Sequence, residues 1–368
     1  MKLIPLALAI TLATLAMPAA ASCKLIKVAE LHTGYSPLVP VSIDGHATTF
    51  LVDTGAGTSM IWRKAAEAFH MGIGHARGTM YGVGGSDVLG SVEVRELSIG
   101  GAVVHNIYML ASGRGGSEQF AGLLGADFLS SFDVEFDLGM KVMRLFKPED
   151  CKGDEVVYWA NSYYMVPLVP PASPLGGFRT TDPGWVIAHV SLNGQDALAM
   201  FDTGASLSTV SSSLIRRGGI QSETVPIEES SAVGIAGKAV PTEVASFSRL
   251  TVGQENLQNA RLRIADLWGA DKEVHTGSLV ARATLAPADM LIGADFFRAH
   301  RVYIAHSQKR MYFTYQGGPI FRLAVRNPVA APASAPPAGA AAAPGPASAP
   351  ASAPPDSAPP AAGETPKN

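Results

Sequence analysis

The sequence Asp-Thr-Gly-Ala occurs twice in this chain, at residues 53–56 and again at residues 202–205, 149 positions later. Each copy ends an apolar run, Phe50-Leu51-Val52 in the first and Ala199-Met200-Phe201 in the second. An apolar run that stops at a turn-forming sequence predicts a buried strand, here with a carboxylate at its end. We therefore expect two similar strand ends, each of which carries an aspartate.

The repetition extends well beyond these four residues. Four further pairs of segments correspond in the same order: 41–45 with 190–194, 82–85 with 234–237, 97–100 with 250–253, and 123–128 with 291–296. The separation grows to 168 residues in the last pair, so the second copy carries an insertion between about residues 259 and 290. Each copy is long enough to enclose a core. The alternative, two unrelated structural turns, does not explain a repeat of this length.

The residue pattern within one copy favours β-structure. The segments with strand patterns in the first copy are residues 38–43, 47–52, 92–99 and 103–110. Asp44-Gly45 between the first two is a two-residue hairpin signal. Residues 61–71 have a helical composition that Gly72 closes. The sequence predicts a mostly β domain, present twice, with one or two short helices in each copy.

Composition divides the chain into five parts. Lys2, the apolar stretch after it and Ala19-Ala20-Ala21 are typical of a secretory signal peptide. Proline and glycine crowd the stretch before Trp185, and Tyr163-Tyr164-Met165 within it is expected to pack as an extra strand. The end of the chain has almost no large apolar side chains and is expected to be disordered. The predicted parts are a signal peptide at 1–21, an N-terminal lobe at 22–155, an interlobe linker at 156–185, a C-terminal lobe at 186–325 and an Ala/Pro-rich disordered tail at 326–368.

The chain has two cysteines, Cys23 and Cys151. Export leads to an oxidising compartment, so we expect a disulfide between them that brackets the first copy. The alternative is lipid attachment at Cys23, although Ala20 is smaller than the apolar residue that such a site prefers. The sequence predicts a periplasmic or secreted protein with no membrane span in its mature chain, and a lipid anchor is the alternative.

Two aspartates at equivalent strand ends are suited to metal-free hydrolysis of an amide. One group must take a proton from water while another donates a proton to the carbonyl oxygen. Two carboxyl groups about 3 Å apart do both, because like charges that close cannot both ionise. Asp53 and Asp202 are the candidates. The residues expected to support them are Thr54, Gly55, Thr203 and Gly204: the glycines allow tight turns, and the threonine hydroxyls need partners in the opposite loop.

The chain resembles the aspartic proteases of the pepsin and retropepsin superfamily. The features that carry the resemblance are Asp-Thr-Gly-Ala, a glycine-rich segment, and a late pair of apolar residues followed by glycine, each of which is present twice. The chain is similar to a bacterial single-chain form with two repeats. The resemblance covers roughly residues 38–315 and implies a mostly β, bilobal fold of two homologous barrel-like lobes. It also implies a catalytic dyad of Asp53 and Asp202 and an interlock between Thr54 and Thr203.

The resemblance further implies a β-hairpin flap over the substrate in each lobe. The residues that match the flaps are Tyr81, Gly82, Val83, Gly84 and Gly85 in the first lobe and Gly234 and Ile235 in the second. Tyr81 has the alternative of an ordinary strand aromatic. Strands ending at Gly125 and Gly293 would pass beside the two aspartate loops. Asp127 and Asp295, just after them, are expected to cap helices rather than to act in catalysis.

The details are closer to the retroviral branch than to pepsin. Alanine follows Asp-Thr-Gly in both copies, where pepsin-like enzymes have serine. Retroviral enzymes are homodimers, whereas two units are fused here, so a monomer is expected to be active as an internal pseudo-dimer. Ala236 replaces a flap glycine, and residues 261–287 have no counterpart in the first copy, so the two lobes should differ. Because Ala56 and Ala205 cannot donate a hydroxyl hydrogen bond to the dyad, we expect an acidic pH optimum that is milder than pepsin's.

Together these features predict an exported aspartic endopeptidase, and a catalytically silent peptide-binding or regulatory module on the same fold is the alternative. The nine histidines show no His-Glu-x-x-His spacing, and two cysteines cannot form a cysteine-rich site. No Gly-x-Ser-x-Gly sequence is present, and no Lys-Ser or Lys-Thr follows Gly82-Val83-Gly84-Gly85 as in a phosphate loop. The net charge of −3 favours neither nucleic acid nor anionic membrane. We therefore expect a polypeptide substrate and no metal or cofactor.

Overall fold

The chain is mostly β-structure, as the residue pattern predicts, and strands account for most of the residues described. The computed structural model describes residues 23–34, 36–82, 85–112, 119–170, 184–224, 231–233, 239–267, 273–275, 282–284 and 288–321. The predicted signal peptide at 1–21 and the predicted tail at 326–368 lie outside these residues, and the predicted domain boundaries stay predictions. None of the helices within the described ranges has the length and apolar character to span a membrane.

Apart from a few additional strands, the strands and helices follow the same order in both halves of the chain. The first half contains β1 (Lys24–His32), β2 (Leu38–Ile43), β3 (His46–Val52), β4 (Met60–Trp62), β5 (Ile73–Gly82), β6 (Gly85–Ile99), β7 (Ala102–Ser112), β8 (Gly122–Leu124), β9 (Asp133–Asp137), β10 (Val142–Glu149) and β11 (Tyr164–Pro167). The second half contains β12 (Ile187–Leu192), β13 (Gln195–Phe201), β14 (Thr209–Ser211), β15 (Glu223–Thr224), β16 (Ser231–Val233), β17 (Ala239–Val252), β18 (Glu255–Ala265), β19 (Glu273–His275), β20 (Arg282–Thr284), β21 (Met290–Ile292), β22 (His300–Ala305) and β23 (Arg310–Tyr315). The helices are α1 (Arg63–Ala68), α2 (Ala126–Leu129), α3 (Ser212–Gly218), α4 (Ala294–Ala299) and a 3-10 helix at Asp154–Val156.

The first lobe is a closed barrel. Its strands run in the order β2-β3-β8-β4-β7-β6-β5, and β2 also pairs with β6, which closes a ring of six strands. The β2–β3 hairpin turns at Asp44 and Gly45, whose φ angles of 47° and 85° are both left-handed, as the two-residue turn requires. Alternate residues of β2, namely Val39, Val41 and Ile43, point into the core.

The second lobe repeats this arrangement. Its strands run in the order β12-β13-β21-β14-β18-β17-β15, and β12 pairs with β17 to close the ring. In both lobes the strand before the aspartate pairs in parallel with a short apolar strand, β3 with β8 and β13 with β21. These two barrels confirm the mostly β, bilobal fold of the pepsin and retropepsin type.

A third sheet is shared between the halves of the chain, in the order β1-β10-β9-β22-β23-β11. At its centre β9 pairs with β22 in antiparallel fashion, with Phe136 opposite Val302. The extra strand expected around Tyr163-Tyr164-Met165 is β11, and Tyr164 lies opposite Phe313. The first strand, β1, was not predicted, and it pairs with β10 over almost its full length.

The prediction of a helix over residues 61–71 is wrong at its start. Ile61 and Trp62 belong to β4, and α1 covers only Arg63–Ala68. Ile61 is fully buried and pairs with Ala111 of β7, because β4 fills the place between β7 and β8. A branched and an aromatic residue suit this pleated, buried position better than the first turn of a helix.

Cys23 and Cys151 form the expected disulfide, which joins the residue before β1 to the segment after β10. We expect the double variant Cys23→Ser, Cys151→Ser to unfold with a free energy about 4 kcal/mol lower, because the bond closes a loop across 128 residues of sequence. Urea unfolding of both proteins checks this. Reductant should bring the wild type to the midpoint of the variant and leave the variant unchanged; equal midpoints under oxidising conditions would contradict the prediction.

Candidate active site

The two aspartates lie at equivalent ends of two parallel strand pairs. Asp53 follows β3, and its backbone N–H donates to the carbonyl oxygen of Leu124 at 2.9 Å. Asp202 follows β13, and its N–H donates to the carbonyl oxygen of Ile292 at 2.8 Å. Each aspartate is therefore fixed to the end of the short apolar strand beside its own.

The structure brings Asp53 and Asp202 together across the two lobes. A Cβ atom added to Gly55 would lie 2.4 Å from Cγ of Asp202, and one added to Gly204 would lie 2.4 Å from Cγ of Asp53. Each carboxyl group thus packs directly on the glycine of the opposite loop. Glycine is needed here because of the close approach and not because of an unusual φ angle.

Backbone N–H groups hold one oxygen of each carboxyl group. Oδ1 of Asp53 accepts from Gly55 at 3.0 Å and from Ala56 at 2.9 Å. Oδ1 of Asp202 accepts from Gly204 at 2.9 Å and from Ala205 at 3.1 Å. The orientation of each carboxyl group is therefore set by the turn that follows it.

The threonines next to the aspartates tie the two loops to each other. The hydroxyl of Thr54 donates to the carbonyl oxygen of Phe201 at 2.6 Å, and that of Thr203 donates to the carbonyl oxygen of Val52 at 2.7 Å. The Thr54 hydroxyl also accepts from the backbone N–H of Thr203 at 3.0 Å, and the Thr203 hydroxyl accepts from that of Thr54 at 3.2 Å. Both side chains are 1% exposed. A displacement of one aspartate loop would therefore be transmitted to the other through these hydrogen bonds.

Burial raises the pKa of Asp53 well above its usual range, and the charge of Asp202 beside it raises that pKa further. Burial also raises the pKa of Asp202, while a hydrogen bond with Asp53 and backbone N–H groups act in the opposite direction. Each aspartate keeps part of its surface open to solvent. The pair therefore retains a proton at a pH at which an exposed aspartate has lost it.

The residues matched to the flaps are only partly described. Gly82 ends β5 and lies opposite Gly85 at the start of β6, and Tyr81 lies opposite Ser86. The side chains in this part of the hairpin are outside the description. The matched residues that lie outside the described residues altogether are Val83, Gly84, Gly234 and Ile235. Their role as flaps stays a prediction.

Asp127 and Asp295 are not helix caps. The N-caps of α2 and α4 are Gly125 and Gly293, neither of which has a side chain to cap with, and each aspartate lies in the first turn. Asp127 instead accepts from Ser59, 68 residues away in the sequence. Neither this serine nor its counterpart Ser208 is among the site residues predicted from the sequence, although each follows its aspartate, Asp53 or Asp202, by six residues.

No group of three or more His, Cys, Asp or Glu side chains in the described part of the chain is arranged to hold a metal ion. The site itself presents the carboxyl groups of Asp53 and Asp202, each against the glycine of the opposite loop. Two barrels that each present one Asp-Thr-Gly loop to the other define the aspartic protease class of fold and site.

Comparison with known proteins agrees with that class. A family model described as aspartyl protease matches residues 39–128 and 188–296, more than half of the chain. The chain belongs to the aspartyl protease family. A solved structure, the crystal structure of aspartic proteinase from Irpex lacteus, is 12% identical and matches with a TM-score of 0.45 over 80% of this chain and 97% of that one. A search of curated proteins finds no match.

Proposed function

We propose that the protein is an exported aspartic endopeptidase, which hydrolyses peptide bonds with a water molecule activated between Asp53 and Asp202. The observation that carries the proposal is the position of two carboxyl groups at the ends of equivalent strands of the two lobes. Each carboxyl group packs against the glycine of the opposite loop. Membership of the aspartyl protease family supports a peptidase function.

The pair supplies an acid and a base at the same time. The ionised carboxyl group takes a proton from water as the water oxygen attacks the carbonyl carbon, and the protonated one donates to the carbonyl oxygen. The carboxyl group that took the proton from water then donates it to the leaving nitrogen as the C–N bond breaks. The other carboxyl group, now ionised, takes a proton from a hydroxyl of the tetrahedral intermediate, so the pair again holds one proton. The N–H groups of Gly55 and Gly204 fix the carboxyl orientations, and the Thr54–Thr203 contacts hold the loops at constant separation.

The proposed substrate is an extended polypeptide that binds between the lobes by strand-like hydrogen bonds, with apolar side chains near the scissile bond. Both half-sites come from one chain, so the active form is proposed to be a monomer. The disulfide supports an oxidising location, either the periplasm or the exterior. While the sulfur of Cys23 is bonded to Cys151, it is not free to carry a lipid.

The decisive experiment is incubation of the mature protein with a denatured polypeptide at several acidic pH values, beside the variant Asp53→Asn. Cleavage by the wild type and none by the variant is the expected result. If the wild type binds the polypeptide and cleaves none, the protein is the binding module and the proposed function is wrong.

The pH dependence follows from the raised pKa values of the dyad. Activity requires one proton on the pair, so it falls as pH rises through the higher pKa and falls again as the second carboxyl group is protonated at low pH.

We expect an acidic optimum milder than pepsin's, because Ala56 and Ala205 supply no hydroxyl to stabilise the ionised form. The profile of kcat/KM against pH checks this, and Ala56→Ser with Ala205→Ser should move the profile to lower pH. A wild-type peak at strongly acidic pH would contradict the explanation.

A further inference from the structure

Each aspartate loop is held from behind by a serine and a second aspartate. In the first lobe the Ser59 hydroxyl donates to Oδ1 of Asp127 at 2.7 Å, and the Ser59 N–H donates to the same oxygen at 2.8 Å. The Ser59 hydroxyl oxygen accepts from the N–H of Gly125 at 2.9 Å. The end of the Asp53 loop is thereby fixed to the junction between β8 and α2.

The second lobe has the same arrangement. The Ser208 hydroxyl donates to Oδ1 of Asp295 at 2.7 Å, and its oxygen accepts from the N–H of Gly293 at 2.8 Å. The Ser208 N–H donates to Oδ2 of Asp295 at 2.9 Å. This fixes the end of the Asp202 loop to the junction between β21 and α4.

The same junctions contact the residues that orient the dyad. The N–H of Ala126 donates to the carbonyl oxygen of Ala56 at 2.8 Å, and the N–H of Ala56 holds Oδ1 of Asp53. The corresponding bond in the second lobe runs from Ala294 to Ala205 at 2.7 Å. A shift of either junction would therefore reach the carboxyl group through one intervening residue.

The two aspartates behind the loops differ in how they are used. Asp127 is exposed and accepts all three of its hydrogen bonds from the described residues on Oδ1. Asp295 is 7% exposed and uses both oxygens, Oδ1 for the Ser208 hydroxyl and the Phe296 N–H, and Oδ2 for the Ser208 N–H. Asp127 therefore has a carboxyl oxygen free of bonds to the described residues, whereas both oxygens of Asp295 are engaged at a buried position.

An arginine of the second lobe adds a contact that has no counterpart among the described residues of the first lobe. Arg298 of α4 donates from Nη2 to the carbonyl oxygen of Ser206, within the loop after Asp202, at 3.0 Å. In the first copy Ser130 stands at the position of Arg298, and Gly57 at that of Ser206. Serine is too short to make the corresponding contact, so the first loop lacks this support.

We propose that Asp295 and Arg298 are positioning residues that make the Asp202 loop the firmly held half of the dyad, against which the Asp53 loop is aligned. The inference rests on the proposed function for its effect on turnover, and on the geometry alone for the difference between the loops. A firmly held aspartate loop favours turnover because misplacement of a reacting group by about 1 Å lowers the rate on the order of 100-fold.

The two oxygens of Asp295 provide a matched pair of variants. In Asp295→Asn the amide nitrogen must face one of the donors of Ser208 or Phe296, so a buried donor is left without an acceptor. In Asp127→Asn the amide oxygen can take the place of Oδ1, and the nitrogen can face solvent. We expect kcat to fall about tenfold or more in Asp295→Asn with KM within about twofold, and both constants within about twofold of wild type in Asp127→Asn.

Hydrogen exchange tests the inference without turnover. In the wild type the amides of residues 202–208 should exchange more slowly than those of residues 53–59, and Asp295→Asn should accelerate exchange in 202–208 by about tenfold. Asp127→Asn should leave the exchange of both loops near wild type. If the wild type cleaves no polypeptide, the proposed function fails, and the exchange pattern still decides whether the second loop is the firmer one.

A milder variant covers the case in which Asp295→Asn does not fold. Arg298→Ser installs the residue of the first copy, and it should lower kcat by about threefold or more and accelerate exchange in residues 202–208 alone, with an unchanged unfolding midpoint. Equal exchange of the two loops in the wild type, or unchanged kcat and exchange in Arg298→Ser, would overturn the inference.

Discussion

Replacement of Gly55 by alanine is expected to lower kcat/KM by at least about 100-fold. The added Cβ would lie 2.4 Å from Cγ of Asp202 and 2.6 Å from each of its carboxyl oxygens. Real Cβ atoms essentially never approach a neighbouring atom within 3.0 Å, so the two loops would have to separate. The Thr54 and Thr203 hydrogen bonds across the same gap resist that separation, and the carboxyl groups would lose their alignment.

Gly204→Ala should have the same effect on Asp53, because the two contacts are equivalent. The matched control is Gly72→Ala, since a Cβ at Gly72 would meet nothing within 4 Å and its φ angle is not left-handed. Kinetics on a peptide substrate, with circular dichroism to verify folding, measures all three variants. Near wild-type activity in Gly55→Ala would mean that the loops do not approach each other as described.

The local parts of the fold could be predicted from the sequence because their signals are local. Asp44-Gly45 between two alternating segments predicts a hairpin, and the hairpin turns at those two residues. The equal spacing of two matching segments predicts two equivalent lobes. The shared sheet could not be predicted in this way, because β1 pairs with residues more than one hundred positions away, as Lys24 does with Glu149, and nothing within β1 indicates its partner.

The difference between local signals and contacts of distant residues also explains which site residues could be predicted from the sequence. Asp53 and Asp202 stand out because their surroundings repeat, and the need of Thr54 and Thr203 for partners follows from their position beside buried acids. Asp127 was expected to cap a helix because its neighbours look like a helix start. Its actual partner is Ser59, which directly precedes β4 and lies 68 residues earlier in the sequence. The two residues come together only in the folded chain.

The central claim is that Asp53 and Asp202 act as one unit. We expect Asp53→Asn and Asp202→Asn each to lower kcat/KM by at least about 1000-fold, since an amide can neither accept a proton from water nor donate one in the course of the reaction. The double variant should be no less active than either single one, because residues that act together are not additive when removed. Asp196→Asn, at an exposed position on β13, is the matched control and should keep wild-type activity.

The most direct test is therefore kcat/KM for the wild type, the two single variants and the double variant, measured on one peptide at the optimum pH. The account predicts three equally inactive variants beside an active wild type. A single variant within about tenfold of wild type, or a double variant with the product of two independent losses, would contradict it.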